Sequence, residues 1–484
     1  MNTQATANIL DTSSEVLLTL LNSHASPEAF ARALFEIDYR MTLATDPKLA
    51  EVLRACAIPS RFDAHVIGVL RGHPAAHKTN SALLEKLKSF SFVVMRKDGH
   101  YVYHDNTRNV VLEDWRRPKN RKQYKEYKDR LLTFYSTQAT KLYEDQKYAD
   151  MLTHLNLALE IEPKSAGLNF QLGVVHYRMQ DYKAARVDFS RASKLSPKDG
   201  VVYHWLGVTN SELQNHDEAV ANFSKAIRHK FDVPINTAWR GLSYLLSQRY
   251  KRALADLDKA IKLSPKAGNN YFWRGIARYH MGRQRAALTD FAEAIKLEPR
   301  DAMNHHWRGV ILYELGKYKN AIADLSKSIK LDPKLPYNLY YRSLCYLGIR
   351  KYALARKGLD IACGKDPDRP HPLFWRGVAR TLQGDDKEAQ ADWDAAAAIA
   401  QAQADLCEQQ RVLAKLAIIM GDKRAALKHY RKALTSICKL DSLQLEQSYL
   451  AQLFALFPHS DAVKSTNDCY KKRLAAVKRR RLRA

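Results

Sequence analysis

Residues 238–265 read AWRGLSYLLSQRYKRALADLDKAIKLSP, and residues 272–299 read FWRGIARYHMGRQRAALTDFAEAIKLEP. The second copy lies 34 residues after the first and aligns without a gap. Each copy holds an apolar stripe at helical spacing, a short break, and a second stripe that ends at a proline. Working outward, the same spacing places Pro163, Pro197, Pro265, Pro299, Pro333 and Pro367 in register, with Phe231 at the one skipped position. A glycine recurs in the first stripe as Gly173, Gly207, Gly241, Gly275, Gly309 and Gly377, and Ser343 fills the gap. Alanine recurs in the second stripe as Ala185, Ala219, Ala253, Ala287, Ala321, Ala355 and Ala389. Seven residues further on stands another small residue: Ala192, Ala226, Ala260, Ala294, Ser328, Ala362 or Ala396.

Small residues on facing stripes let two helix backbones approach closely, while Phe223 and Phe291 wedge between neighbouring units. Proline cannot continue a helix, so it closes each second helix. A unit of this kind cannot bury its apolar face alone, and units therefore stack.

The pattern resembles the tetratricopeptide repeat family. The resemblance covers residues 132–403 as eight units, which start near Leu132, Ala166, Gly200, Pro234, Gly268, Ala302, Pro336 and Pro370. A degenerate ninth unit is expected over 404–440 after a three-residue insertion, marked by Leu413-Ala414, Met420-Gly421-Asp422 and Ala426. The implied fold is all-α: a right-handed superhelical solenoid of helix pairs. Residues 441–484 are expected to form a capping helix from Asp441 to Phe457, then a last helix running into the basic tail Lys478, Arg479, Arg480, Arg481 and Arg483.

Ahead of the repeats, residues 1–117 predict helices, a hairpin turned at Lys97-Asp98-Gly99-His100, and a final helix over Asn106–Trp115. Helices are expected at Ser14–Leu21, Pro27–Leu43, Lys48–Cys56, Phe62–Leu70 and Ala82–Phe90, the last capped by Ser81. This order suggests a winged-helix-like domain, joined to the array by a basic linker or helix over 118–131. Leu83 to Trp115 resembles the winged helix of STAND-type signal-transduction ATPases. There, a His-Asp pair after the hairpin lies near bound nucleotide; Tyr103-His104-Asp105, followed by Arg108, match it here. The chain departs from that family in having no G-x-x-x-x-G-K-[ST] loop and no room for an ATPase core, so nucleotide binding by this chain alone is not expected. His104 and Asp105 are equally a hairpin exit and a helix N-cap.

The net charge is +27, from 78 Lys+Arg against 51 Asp+Glu, which favours acidic partners. The excess is concentrated in the central units and the C-terminal tail. Cys56, Cys345, Cys363, Cys407, Cys438 and Cys469 form no CxxC pair. A disulfide framework and a zinc site are therefore not expected, and the chain reads as cytoplasmic. No apolar run is long enough to span a bilayer, and Met1 to Asp11 lacks the features of a secretory leader. No catalytic motif is present, so neither an enzyme nor a cofactor is expected.

Two rows invite a nucleic-acid reading. Trp205, Trp239, Trp273, Trp307 and Trp375, with Tyr341 in the same slot, could stack bases, or they could pack between units. Arg240, Arg274, Arg308, Arg342 and Arg376 could bind phosphates, or they could pair with Asp256, Asp290, Asp324 and Asp392. Arg342 has Gly358 where its own aspartate should stand, so it is expected to reach Asp324 or lie free.

The family resemblance implies that fixed first-helix positions face a binding groove. Carried over, these include Phe170, Tyr177, His204, Phe272, Tyr279, His280, His306, Tyr313, Tyr340 and Phe374. A groove of aromatic and histidine side chains suits a peptide or helix of another protein. The expected function is a protein–protein interaction scaffold or adaptor, related to STAND-like signalling. The alternative is nucleic-acid binding through the winged helix, the basic central units and the tail.

Overall fold

The computed structural model describes Thr19 and residues 25–402, 406–419, 421–422, 424–426, 428–429, 440–457, 460–469 and 471. The expected helix at Ser14–Leu21, apart from Thr19, and the basic tail at 478–483 therefore lie outside the described residues. The chain divides into two compact units, with the boundary between Asn215 and His216.

The first unit begins with α1 (Pro27–Thr45), α2 (Pro47–Ala55), α3 (Ala64–Leu70) and α4 (His77–Leu87). Side chains of Ser26, Asp46 and Asp63 cap the first three, each accepting from the backbone N–H three residues on. Helix α4 starts at His77, so Ser81 lies inside it and is not its cap. Strands β1 (Val93–Met95) and β2 (Tyr101–Tyr103) pair antiparallel, with Val94 opposite Val102. A bridge from Phe62 to Tyr101 ties the hairpin to the loop before α3. Helix α5 (Asp105–Trp115) follows, with His104 at the N-cap position but making no side-chain cap bond.

The stretch expected as a linker or helix, 118–131, is a single 3-10 turn, Pro118–Asn120, and then the start of one long helix, α6 (Arg121–Glu144). Trp115 is buried against Tyr124 and Tyr127 of α6, and the Tyr127 hydroxyl donates to Glu51 of α2 at 2.6 Å. A single hydrophobic core runs from Phe35 through Trp115 and Tyr135 into Leu168 and Val175. The N-terminal helices are thus docked on the first repeats. Those repeats are α6 with α7 (Tyr148–Ile161), α8 (Ala166–Arg178) with α9 (Tyr182–Leu195), and α10 (Gly200–Glu212).

The second unit contains α11 (His216–Arg228), α12 (Val233–Leu246), α13 (Tyr250–Leu263), α14 (Gly268–His280) and α15 (Gln284–Leu297). It continues with α16 (Ala302–Glu314), α17 (Tyr318–Leu331), α18 (Pro336–Gly348) and α19 (Tyr352–Lys365). Then come α20 (Pro370–Thr381), α21 (Asp386–Ala402), α22 (Leu406–Ile419) and α23 (Leu440–Leu456). Helices α6 to α21 are the sixteen expected from eight units, with no strand among the described residues of that span.

Steric fit explains the recurring small residues. A Cβ on Gly241 would stand 2.9 Å from Leu257, and one on Gly309 2.8 Å from Leu325, too close for either to be accommodated. All seven recurring second-helix alanines are fully buried. Each pre-proline residue leaves the helical region, as Ser196 (φ −130, ψ 75) and Ser264 (φ −138, ψ 75) do, because proline excludes it from the helical conformation. At the skipped position a different stop is used. Lys230 adopts φ 58 and donates to the Ile227 carbonyl, while Phe231 donates to that of Ala226, a Schellman motif.

The turn between paired helices always contains one left-handed residue. These are Gln146, Gln180, Gln214, Gln248, Gly282, Gly316, Arg350 and Gly384, at the repeat spacing. Gly421 (φ 73) continues the series three residues late, where the insertion was expected. A side chain in this conformation is strained relative to glycine. Replacing Gln180 and Gln248 by glycine should therefore raise stability by about 0.5–1 kcal/mol each, read as a higher midpoint in urea unfolding; a fall would show that these side chains make compensating contacts.

Candidate functional site

The arginine row is an internal ladder. The guanidinium of Arg240 donates to Asp256 at 2.7 and 2.8 Å, that of Arg308 to Asp324 at 2.7 and 2.6 Å, and that of Arg376 to Asp392 at 3.0 and 2.6 Å. Arg274 reaches Asp290 at 2.6 Å, and Arg278 approaches the same carboxylate at 2.8 Å. The ladder also ties neighbouring units together. Sixteen residues before four of the five arginines stands a second acceptor: Ser224 for Arg240, Asp258 for Arg274, Ser326 for Arg342 and Asp360 for Arg376, with Ala292 in that place before Arg308. Arg342 thus donates to Ser326 at 3.3 Å, which corrects the expectation that it reaches Asp324 or lies free. Gly358 has its own explanation, since a Cβ there would lie 2.2 Å from the Ser343 hydroxyl oxygen. Serine in the glycine slot is accommodated by glycine in the aspartate slot.

The tryptophans pack inside the array. Trp205 stacks on Phe189 and Trp239 on Phe223, with centroids about 6 Å apart, while Trp273 packs on Trp239 and Trp307 on Tyr279. Trp375 is fully buried. These contacts favour inter-unit packing over a base-stacking ladder.

In the second unit, the face formed by α14, α16, α18 and α20 carries the expected aromatics, but it is not open. Exposures are 4% for Tyr279, 2% for Tyr313, 6% for Tyr340 and 0% for Phe374. The residue that covers Tyr313 and Tyr340 comes from α23. The Tyr313 hydroxyl donates to Gln452 Oε1 at 2.7 Å, and Gln452 Nε2 donates to the Leu344 carbonyl at 2.7 Å. Tyr449 packs against Tyr313, His371 and Trp375, and it shares one core with Leu450, Leu453, Leu344 and Phe374. Burial holds the hydroxyls of Tyr313 and Tyr449 well above the usual tyrosine range. Arg411 of α22 meets the buried Glu446 at 2.6 Å, and Lys415 meets it at 3.3 Å. The helix expected to cap the end of the array therefore lies against the face formed by α14, α16, α18 and α20.

Models of the tetratricopeptide repeat match residues 166–199, 207–268 and 274–336. The chain carries tetratricopeptide repeats. Among solved structures, MamA from Desulfovibrio magneticus RS-1, residue 41 to its end, is 16% identical, with 35% of this chain and 96% of that one covered at a TM-score of 0.34. A tetratricopeptide repeat protein from Parabacteroides merdae ATCC 43184 is 14% identical over 52% of this chain and 98% of that one, at 0.41. YrrB, described as a TPR protein with an unusual peptide-binding site, is 20% identical over 38% and 96%, at 0.33. No curated protein matches the chain.

The remaining expected groove residues are half-buried. Phe170 packs on Phe189, Tyr177 on Tyr182 and Trp205, and Phe272 on Phe291. His204 packs edge-on against Trp205, and His280 stacks on Tyr250. His306 heads a hydrogen-bond relay across three helices. Its Nδ1 lies 2.7 Å from Asn338 Oδ1, Asn338 Nδ2 donates to Ser328 Oγ, and the Ser328 hydroxyl donates to the Ala302 carbonyl. The relay fixes the Nδ1–H tautomer, and burial holds the imidazole below its usual pKa of 6.5.

A pocket of about 330 Å3 in the first unit is lined by Arg61, Asp63, His100, Tyr135 and His154 together with Val66, Phe134 and Leu157, among others. Among the described residues, no group of His, Cys, Asp and Glu is arranged to hold a metal.

Two outcomes follow from this geometry. Asp290→Asn should destabilise the protein by about 2–4 kcal/mol, because Arg274 and Arg278 lose the carboxylate they share and Arg274 keeps only Asp258, whereas Arg342→Ala should cost under about 1 kcal/mol. Urea unfolding separates them, and equal losses would refute the ladder's role. His306 favours its neutral form when folded, whereas the unfolded chain protonates near pH 6.5. Its contribution is thus complete above about pH 6.5 and is lost as the pH falls through its lowered folded value. Between about pH 7 and pH 5, His306→Asn should lose less stability than the wild type; parallel pH profiles would exclude this.

Proposed function

We propose that the chain is a protein–protein interaction scaffold, binding a helical or extended segment of another protein on the face formed by the first helices of its repeats. The supporting observation is that this face, lined by Tyr313, Tyr340 and Phe374, accommodates a helix. Aromatic side chains offer large contact area at little entropic cost. In this reading residues 1–117 would be a winged-helix-like module with the hairpin as its wing, through which the scaffold would join a STAND-like assembly. The cysteines Cys56, Cys345, Cys363 and Cys469 are free thiols, which suits a cytoplasmic protein. Among the described residues no helix is long and apolar enough to cross a membrane.

Nucleic-acid binding is the second reading, favoured by the charge of +27. It is weakened because Arg240, Arg274, Arg308 and Arg376 already spend their guanidiniums on aspartates.

The test is selection of displayed peptides on the full chain, followed by anisotropy titration of a selected peptide. Phe272→Ala combined with Tyr279→Ala should weaken binding at least tenfold, since interface aromatics contribute about 2 kcal/mol or more when they are hot spots. Neutralising Arg479, Arg480 and Arg481 should alter only the salt dependence. The reverse result, together with tight and steeply salt-dependent binding of a single-stranded RNA, would replace the scaffold reading by the nucleic-acid one.

A further inference from the structure

Around the pocket of about 330 Å3 in the first unit stand side chains whose buried polar atoms meet no hydrogen-bond partner: Arg61 Nε, His100 Nδ1, Tyr135 Oη and His154 Nδ1. Tyr135 is only 2% exposed, and His100 Nδ1 lies 3.5 Å from Asp98, too far for a good hydrogen bond. Local structure explains the grouping. Phe62 is fully buried and exchanges backbone hydrogen bonds with Tyr101 at 2.8 and 2.9 Å. Neighbours of an extended residue point away from it, so Arg61 and Asp63 share the other side, beside His100. Helix α6 brings Phe134, Tyr135 and Gln138 to the pocket, and α7 brings His154 and Leu157. His154 stands 34 residues before Asp188, so the first repeat has an imidazole where later units have the acidic site of the ladder.

The walls of this pocket call for three different groups. Arg61 Nε is a donor only, while the Tyr135 hydroxyl and a neutral imidazole can each donate. Burial, reinforced by Arg61 and opposed by Asp150, holds the His154 imidazole below its usual pKa, and burial holds the Tyr135 hydroxyl above its own despite Arg61. A buried donor without an acceptor is costly, and one carboxylate can accept from several donors at once. Asp63 calls for the opposite charge. One of its oxygens caps α3 by accepting from the Val66 N–H, and the other lies 4.0 Å from His100 Nε2. Arg61 does not answer that need, since its Nη1 donates to Asp98 at 3.0 Å. Val66, Phe134 and Leu157 supply an apolar wall. The volume is roughly that of eleven waters, which suits a ligand of about as many non-hydrogen atoms.

From this we infer that the pocket binds a small zwitterion, an α-amino acid with an apolar side chain. Its carboxylate accepts from Arg61 Nε, the Tyr135 hydroxyl and the His154 imidazole, its ammonium meets Asp63, and its side chain lies against Val66, Phe134 and Leu157. The donor atoms are covered in this structure, so binding turns the Arg61 and His154 side chains toward the ligand. A simple acid would set a like charge against Asp63, and a simple amine would leave the donors unmet. The ligand is held from the N-terminal segment on one side and from α6 and α7 on the other, so it ties the two together within the first unit. This site does not depend on the scaffold reading above.

The test is equilibrium dialysis of radiolabelled L-leucine and L-phenylalanine against the full chain. At least one should bind with a dissociation constant of about 1 mM or lower. For leucine, 4-methylpentanoate and 3-methylbutylamine lack the ammonium and the carboxylate in turn; for phenylalanine, 3-phenylpropionate and 2-phenylethylamine do. Each should compete at least about tenfold more weakly than the parent amino acid. Tyr135→Phe and Asp63→Asn should each weaken binding by about tenfold. Asparagine still caps α3, and losing an unpartnered hydroxyl should not lower the urea midpoint, so both variants are expected to fold, as circular dichroism would report. If they do not, hydrogen exchange on wild type decides alone: the bound amino acid should slow exchange over 61–66, 100–104 and 134–157. Absence of binding by both amino acids, full competition by the acid or the amine, unchanged binding by either folded variant, or unchanged exchange in those segments overturns the proposal.

Discussion

A Cβ on Gly377 would lie 2.3 Å from the Trp393 indole nitrogen, and one on Gly173 2.7 Å from the Phe189 ring. One small residue per first helix lets a large second-helix residue lie directly on the backbone. That contact sets the spacing of each pair, and the spacing places Arg240, Arg308 and Arg376 opposite Asp256, Asp324 and Asp392. Ser343 shows how strict the constraint is. Its hydroxyl folds back onto the Leu339 carbonyl, and the residue it would strike, at 358, has no side chain. The loss of one glycine and the loss of one aspartate are a single event in packing terms.

The ladder has consequences for the charge of the molecule. A guanidinium held by two carboxylate oxygens and a hydroxyl or carboxylate of the preceding unit has few donors left for a phosphate. Asp188 is held differently, by His176 at 2.7 Å, because Leu172 stands where later units have arginine. Asp290 and Asp392 are also approached from that histidine's position, by Arg278 and Arg380. Where a unit has the aspartate, it is thus served from one or both of two places on the first helix; Asn222 and Gly358 stand in its place in two other units.

The repeat was legible because every small residue answers a steric demand that recurs at fixed spacing. The helix count, the Arg–Asp pairs and the packing of the tryptophans followed from it. The left-handed turn was not legible. Gln180 and Gln248 look like ordinary helix formers, and glycine marks the same position only at Gly282, Gly316 and Gly384. The second acceptor of the ladder was hidden because its position alternates among serine, aspartate and, at Ala292, nothing. The seat of α23 was the least visible. Glu446 resembles a surface glutamate until Arg411 and Lys415 are placed opposite it. The available signal was Tyr449, Leu450 and Leu453 sharing a face with Glu446, more apolar than an end cap requires.

A face bearing Tyr313, Tyr340 and Phe374 side by side would be a sizeable apolar patch, and folded chains seldom leave such patches in water. That argues for a cover but not for a particular one, since many leucine-rich helices would do. The polar contacts supply the selection. Buried ion pairs add little net stability over apolar packing, yet a mismatched one is costly. Glu446 and Gln452 therefore act mainly to reject other helices and other registers, while Tyr449, Leu450 and Leu453 supply most of the holding energy. A slide of α23 by one turn would keep apolar contact with the groove but carry the carboxylate away from Arg411 and Lys415. The register of this helix is fixed by what it would lose on moving.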